Sequence, residues 1–483
     1  MSGAAVPPSS RRAGAAAPAP APAPAPPPPS SSVVDRLAAG AFALGLAALA
    51  FGYGFLAAKR GLPPHDGLAA MEEAANAFYK TYLQPASRAS SDLLLRARDG
   101  RAGAYAHDPA RAAPGPTFLT LYTREGFEAR LVAPDGAVLH RWRARHSQAF
   151  PEPRHLLWKA PDEFIVWHGA KVFPDGGVVF NFQDKSFPYG GGLVRLDRDS
   201  RVVWALPENT HHDVEAAEDG SLWVPGMRYR PEGLPEAPDM KPWFYEDTVL
   251  RVSADKGEVL QEVSVLKALA ASYPGLLSIN YEDHLRLAAP DPLHLNGAEP
   301  LPADLAPSFP GLAAGDLLVS LRSVNAIAVV DPGTGRAKWA LAGPFAKQHD
   351  ADWLPGGRIM LFDNRGGDPA CGGSRVLEID YATQAVTWSY DACGPGGGPP
   401  PAGAPPRFLS ELRGMQQVLP NGNVLVTESL GGRVLEVARD DKAVVWEYVN
   451  GLGAVDGEDG PRVGVVTHAE RLPEGYLTFL PPR

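Results

Sequence analysis

Gln348-His349-Asp350-Ala351-Asp352-Trp353-Leu354-Pro355-Gly356-Gly357-Arg358-Ile359-Met360-Leu361-Phe362 sets a histidine ahead of an alternating strand, a Pro-Gly-Gly turn and a second strand. Alternation with period two sends successive side chains to opposite faces, so the stretch reads as a hairpin. Similar stretches recur. They begin at His168, His212, His294 and His468, and at Gly414 in a copy without histidine. Their turns carry Asp175-Gly176, Asp219-Gly220, Gly315-Asp316, Asn421-Gly422 and Glu474-Gly475.

A second kind of unit alternates with the first. It is a pair of strands that in most copies ends in tryptophan: Ala129 to Trp142, Leu193 to Trp204, Thr248 to Leu260, Ala326 to Trp339, Arg375 to Trp388 and Arg433 to Trp446. Six of each kind make six four-stranded units, which predicts an all-β fold, a six-bladed β-propeller over 117–483. The strands after His468 are expected to share a blade with those from Thr117 to Trp142 and so close the ring. Loops that break the period carry function more often than the strands do. Residues 227–246 insert Arg228, Tyr229, Arg230, Trp243, Phe244 and Tyr245, which read either as the lining for a ring or as packing between blades. A short helix is expected over 261–277, a stretched turn over 299–314 and a Gly/Pro excursion over 391–407.

Upstream of the repeats, residues 1–32 are Ala, Pro and Ser, a composition that cannot build a core and reads as a disordered tail. Residues 33–60 read as a signal anchor, with the uncharged run 37–58 long enough to cross the membrane as one helix. Residues 61–116 read as a helical stalk and linker; Leu68, Met71, Ala75, Phe78 and Tyr82 share a face and the helix ends near Gly100. The flanking charges Arg36, Lys59 and Arg60 say little about orientation. The formal net charge of −10 has no basic stripe, so nucleic acid is not expected as a partner. Cys371 and Cys393 flank the Gly/Pro excursion and are either a disulfide closing it or two thiols.

In a propeller the innermost strand of each blade faces the central channel. Histidines at the start of five such strands, His168, His212, His294, His349 and His468, therefore point to a common centre. Converging imidazoles suit a metal or a group-transfer reaction. No carboxylate or thiolate clearly joins them, so no metal ligands are assigned, and no cofactor is expected. Arg322, at the end of the strand after the His294 hairpin, offers a forked donor suited to sulfate or phosphate.

The chain resembles the bacterial, PAPS-independent arylsulfotransferase family. The resemblance rests on Asp291-Pro292-Leu293-His294-Leu295-Asn296, Asp316-Leu317-Leu318-Val319-Ser320-Leu321-Arg322, Gln348-His349-Asp350-Ala351, Leu361-Phe362-Asp363-Asn364 and Leu419-Pro420-Asn421-Gly422-Asn423. It covers roughly Thr117 to the C-terminus and departs from the family at Pro292, where an aromatic is common, and at Gly297, where serine is common. It implies an exported six-bladed propeller that moves a sulfuryl group from an aryl sulfate donor to a phenolic acceptor through a sulfohistidine. By position, His349 is similar to the nucleophile. His212, His294, Asn296 and Arg322 are similar to the residues that hold the sulfuryl oxygens and manage the proton, with His168 and His468 as further substrate-binding candidates. The protein is then expected to be a single-pass membrane protein with its propeller on the periplasmic or an equivalent side. The other readings are a non-catalytic propeller docking onto a membrane protein complex and a histidine-based metal-binding propeller.

Overall fold

The computed structural model describes residues 33–60, 62 and 93–480, apart from 157–160, 185–188, 239, 241–242, 279–290, 369–372, 392–407 and 456–458. The expected tail, most of the stalk and both cysteines lie outside the described residues. The chain divides into two compact units, Met1–Leu62 and Pro63–Arg483.

In the first unit a single helix, α1 (Val33–Arg60), carries the apolar run. Leu37, Phe42, Leu44, Leu49, Phe51 and Phe55 are all exposed on it. Among the described residues no helix is long and apolar enough to cross a membrane.

The second unit is mostly β. Among the described residues it forms six antiparallel sheets of four or five strands and one of three. One sheet pairs Val466–Arg471 with Thr117–Thr123, Gly126–Val132 and Val138–Trp142, so the last strand of the chain lies against the first of the repeats. The next four take the chain in order: Ile165–Val172 to Val202–Leu206, Glu215–Ala216 to Val259–Ser264, Leu295–Pro300 to Arg336–Ala342, and His349–Leu354 to Val386–Tyr390. The sixth runs from Met415–Val418 to Val444–Val449 and takes Gly103–Ala106 as a fifth strand.

Local chemistry explains the hairpins. Asp175 Oδ1 accepts from the Gly177 amide at 2.9 Å, Asp219 Oδ1 from Ser221 at 2.9 Å and Asn421 Oδ1 from Asn423 at 3.1 Å. These side chains cap turns whose next residue has positive φ, which glycine adopts without strain, as at Gly220 (80°) and Gly422 (86°).

The recurring tryptophans stitch one sheet to the next. Trp142 donates its indole N–H to the Gly176 carbonyl at 2.9 Å, Trp204 to Ala254 at 3.0 Å, Trp388 to Arg439 at 3.0 Å and Trp446 to Pro134 at 2.8 Å. Each acceptor belongs to a hairpin of the neighbouring sheet. In the copy that ends at Leu260 without tryptophan, Gln261 makes the equivalent bond to Pro332 O at 2.6 Å. Apolar clusters fill the space between sheets, for example around Trp167, which stacks on Phe180 at 3.8 Å.

Two expectations change. Leu94–Arg96, placed in the helical stalk by the sequence, is a strand on Pro461–Gly464. Gly103–Ala106 is likewise a strand, and Arg98 bonds Glu428 at 2.9 Å while Ala113 N bonds Glu436 at 2.6 Å. The β unit therefore starts ahead of Thr117, because buried carboxylates of the sixth sheet recruit the segment before it. The insertion at 227–246 lengthens a hairpin instead of forming a separate loop: Ser221–Arg230 pairs with Phe244–Ser253 along its whole length. Phe244 and Tyr245 are buried in it, whereas Tyr229 and Trp243 remain exposed.

Candidate functional site

Six residues before Pro174, Glu218 and Pro355 of the hairpin turns stand His168, His212 and His349. Shared spacing brings them together with His294. Ring centroids lie 5.0 Å apart for His168 and His212, 5.1 Å for His212 and His294, and 6.3 Å for His212 and His349. All four are buried. Their backbones bend to allow it, with positive φ at His212 (57°) and His294 (53°), and at Gly169 and Asp350 just after the other two.

His468 is displaced by one position. Thr467 stands six before Pro473, and it bonds Thr120 Oγ1 at 2.8 Å and the Trp167 carbonyl at 2.6 Å. His468 packs edge-on against Phe118 at 5.8 Å, where burial takes its pKa down to about 4. Its charge still acts on His168, so the one-residue offset changes its packing without taking it out of reach of the cluster.

The hydrogen-bond network assigns the protons. Asn364 Nδ2 donates to the carbonyls of Ser410, at 2.7 Å, and Arg413. Its Oδ1 must then face His349 Nδ1, 2.7 Å away. The Lys347 carbonyl is a second acceptor at 3.1 Å from the same nitrogen. Nδ1 of His349 therefore carries the hydrogen and Nε2 the lone pair. Burial, followed by the Arg322 charge, lowers the His349 pKa to about 3, so the ring is neutral at any ordinary pH.

His294 donates through Nδ1 to Asp291 Oδ2 at 2.5 Å, and its amide donates to Oδ1 at 3.1 Å. Burial opposes ionisation of Asp291, but His294, His211 and Arg322 outweigh it and hold the carboxyl below its usual range. His211 meets His212 Nδ1 to Nδ1 at 2.7 Å. Burial brings His211 to about 3 and His212 well below its usual value, so the neutral pair shares one hydrogen. His211 Nε2 has no hydrogen-bond partner. An orphan lone pair is cheaper than an orphan N–H, which assigns the shared hydrogen to His211 and leaves Nε2–H of His212 as a donor. Both ring nitrogens of buried His168 lack hydrogen-bond partners.

Two guanidinium groups bear on this cluster. Arg322, whose amide donates to the His294 carbonyl at 3.1 Å, acts on His349, and Arg413 acts on both His168 and His349. Asn296 is tied elsewhere: its Nδ2 donates to the Gln348 carbonyl at 2.8 Å, bracing the residue before His349. Tyr189 adds an aromatic face, 5.2 Å from the His294 ring.

Further along the inner strands stand the half-buried carboxyls Asp213, Glu215, Glu299, Asp350 and Asp352. Burial raises Asp213 to about 6, and burial together with repulsion from neighbouring carboxyls raises Glu215 to about 8 and the other three well above their usual values. Among the described residues no group of His, Cys, Asp and Glu could hold a metal ion. The chemistry on offer is a neutral imidazole with an aimed lone pair, surrounded by N–H donors and two cations, which suits transfer of an anionic group.

His211, Asp291, Asn364, Arg413 and Tyr189 were not among the candidates from sequence. The doublet His211-His212 and the placement of Arg413 beside Gly414, where the repeat lacks histidine, were the available signals.

A family model described as arylsulfotransferase (ASST) matches residues 169–451. No curated protein matches the chain. Among solved structures, a protein of unknown function from Bacteroides caccae is 14% identical, covers 70% of this chain and 94% of its own, with a TM-score of 0.42. A streptogramin B lyase is 12% identical over 72% of this chain and 86% of its own, TM-score 0.37. The WD40 β-propeller domain of Doa1 is 9% identical over 74% and 84%, TM-score 0.36.

Proposed function

We propose, from the premise that this chain belongs to the arylsulfotransferase family, that it is an enzyme moving a sulfuryl group from an aryl sulfate to a phenol through a sulfohistidine at His349. The observation that carries this reading is the lone pair on Nε2 of a neutral, buried His349 among His168, His212, His294, Arg322 and Arg413.

In the first half-reaction Nε2 of His349 attacks sulfur. The S–N bond forms as the S–O bond to the aryl group breaks, and the leaving oxygen takes a proton from Nε2 of His294, whose Nδ1 stays bonded to Asp291. In the second, the acceptor phenol gives its proton back to His294 as its oxygen attacks sulfur. The S–N bond breaks and its electron pair returns to His349, so protons and charge balance over the cycle. Arg322, Arg413 and Nε2–H of His212 hold the sulfuryl oxygens, whose charge spreads as the transferring group loosens. His168 adds a polar edge to the same cradle.

The six sheets are read as six blades around one channel, closed where Val466–Arg471 joins Thr117–Thr123. The apolar run 37–58, with its exposed leucines and phenylalanines on α1, is read as a membrane anchor that keeps the propeller on the periplasmic or an equivalent side. Salt- and carbonate-resistant sedimentation with membranes, lost when 33–60 is deleted, tests the anchor. Incubation with an aryl sulfate tests the chemistry: about one equivalent of phenol should appear in a burst, with sulfate on the peptide holding His349. A folded protein that gives neither overturns the proposal.

A further inference from the structure

We infer that Asn364 is the positioning residue of this site: it fixes His349 with its hydrogen on Nδ1, so that sulfur is transferred through Nε2, and with the same amide it clamps the turn that carries Arg413. This rests on His349 being the nucleophile.

Asn364 directly follows the strand Arg358–Asp363 and is fully buried. Every polar atom of its side chain is used in one direction only. The Nδ2 hydrogens are spent on two carbonyls, Ser410 and Arg413, neither of which can donate. The amide therefore cannot turn over without setting oxygen against oxygen, and Oδ1 is held facing Nδ1 of His349. Its own backbone is held too: Ser374 Oγ donates to the Asn364 carbonyl at 2.8 Å and accepts from the Ser410 amide at 3.0 Å. Arg413 has positive φ (60°), a conformation that a non-glycine residue keeps only where its surroundings enforce it. The bond from Asn364 to its carbonyl is such a restraint.

The consequence is chemical. An imidazole attacks through whichever nitrogen lacks hydrogen. Were the hydrogen on Nε2, the lone pair would face Asn364 and Lys347 instead of the histidine cluster, and no S–N bond could form there. With the hydrogen on Nδ1, the S–N bond forms at Nε2 while the aryl S–O bond breaks, and the positive charge that develops on the sulfated ring is stabilised by the Oδ1 acceptor. The Nδ1 hydrogen stays in place through both transfers.

The test uses the full-length protein in detergent, labelled with 15N at histidine, with His349→Gln to assign the signals. Long-range 1H–15N spectra at neutral pH should show His349 neutral with Nε2 unprotonated. A Nε2–H tautomer or an imidazolium overturns the inference. Asn364→Leu, which leaves Nδ1 with only the longer bond to the Lys347 carbonyl among the two acceptors described, should raise the share of the Nε2–H tautomer and lower kcat about a hundred-fold with KM little changed, the size expected of lost orientation. A folded variant that keeps both the tautomer and kcat overturns it as well. If the leucine variant does not fold, the wild-type spectrum decides. Absence of phenol release by wild-type protein would instead count against the transferase reading and leave the tautomer result standing.

Discussion

His211 and His212, neighbours in sequence, face each other Nδ1 to Nδ1 at 2.7 Å. Two neutral imidazoles in that arrangement hold one hydrogen between them, so the protonation of His212 toward the site is set by a residue that does not reach the site through its own donor.

Removing that partner should be costly to activity. His211→Ala leaves Nδ1 of His212 without a donor and frees its tautomer, and kcat/KM should fall about a hundred-fold. His211→Asn, which can donate through its amide, should recover part of the loss. Steady-state rates with a chromogenic aryl sulfate, beside circular dichroism for folding, check this; equal losses in both variants would contradict the donor role.

Asp291 holds His294 from below at 2.5 Å. Asp291→Asn removes the carboxylate that accepts from His294 Nδ1, and the effect should depend on the leaving group. Donors that release weakly basic phenolates need little proton assistance and should lose less than about ten-fold, whereas strongly basic ones should lose about a thousand-fold. A plot of log kcat/KM against phenol pKa should steepen in the variant.

Trp142 donates to the Gly176 carbonyl in the next sheet and is fully buried. Trp142→Phe leaves that carbonyl unpaired and should cost about 1–3 kcal/mol in chemical denaturation. Gln261→Leu, which breaks the substitute stitch to Pro332, should cost about 1 kcal/mol. Little change in both would show that the indole bonds do not hold the sheets together.

Buried histidines and raised carboxyls pull the pH dependence of stability in opposite directions. His349 and His211 fall from 6.5 to about 3, and His468 from 6.5 to about 4. Below pH 6.5 the unfolded chain takes up protons that the native state refuses, so stability drops as pH falls, by about 1.4 kcal/mol per pH unit for each such group. Glu215, raised from 4.5 to about 8, has the opposite sign: its contribution is complete below 4.5 and is lost as pH rises through 8. Below pH 6.5 the raised carboxyls oppose the histidines, whereas between pH 6.5 and pH 8 the carboxyl contribution acts alone, so Tm should fall over that alkaline interval and Glu215→Gln should reduce the fall. A wild-type Tm that stays level between pH 6.5 and pH 8 would refute this.

The hairpins, their turns and the alternation of two strand pairs were legible because each is local. An Asp-Gly or Asn-Gly turn and a period of two are properties of adjacent residues, and His168, His212 and His349 keep one spacing to their turns. Leu94–Arg96 was not legible as a strand, since its pairing is offered by Pro461–Gly464, more than three hundred residues away. The sequence set His468 beside the other histidines, yet a one-residue offset turns it toward Phe118.

What the sequence determined by itself was a repeat of hairpins with imidazoles at their entrances, because strand period and turn chemistry act over a few residues. Which imidazole has a lone pair to use was decided by the tertiary structure alone. That property depends on Ser410 and Arg413 orienting, from another segment, the Asn364 amide that faces the His349 ring, and the hydrogen of an imidazole is placed by its acceptors, which no stretch of chain carries on its own.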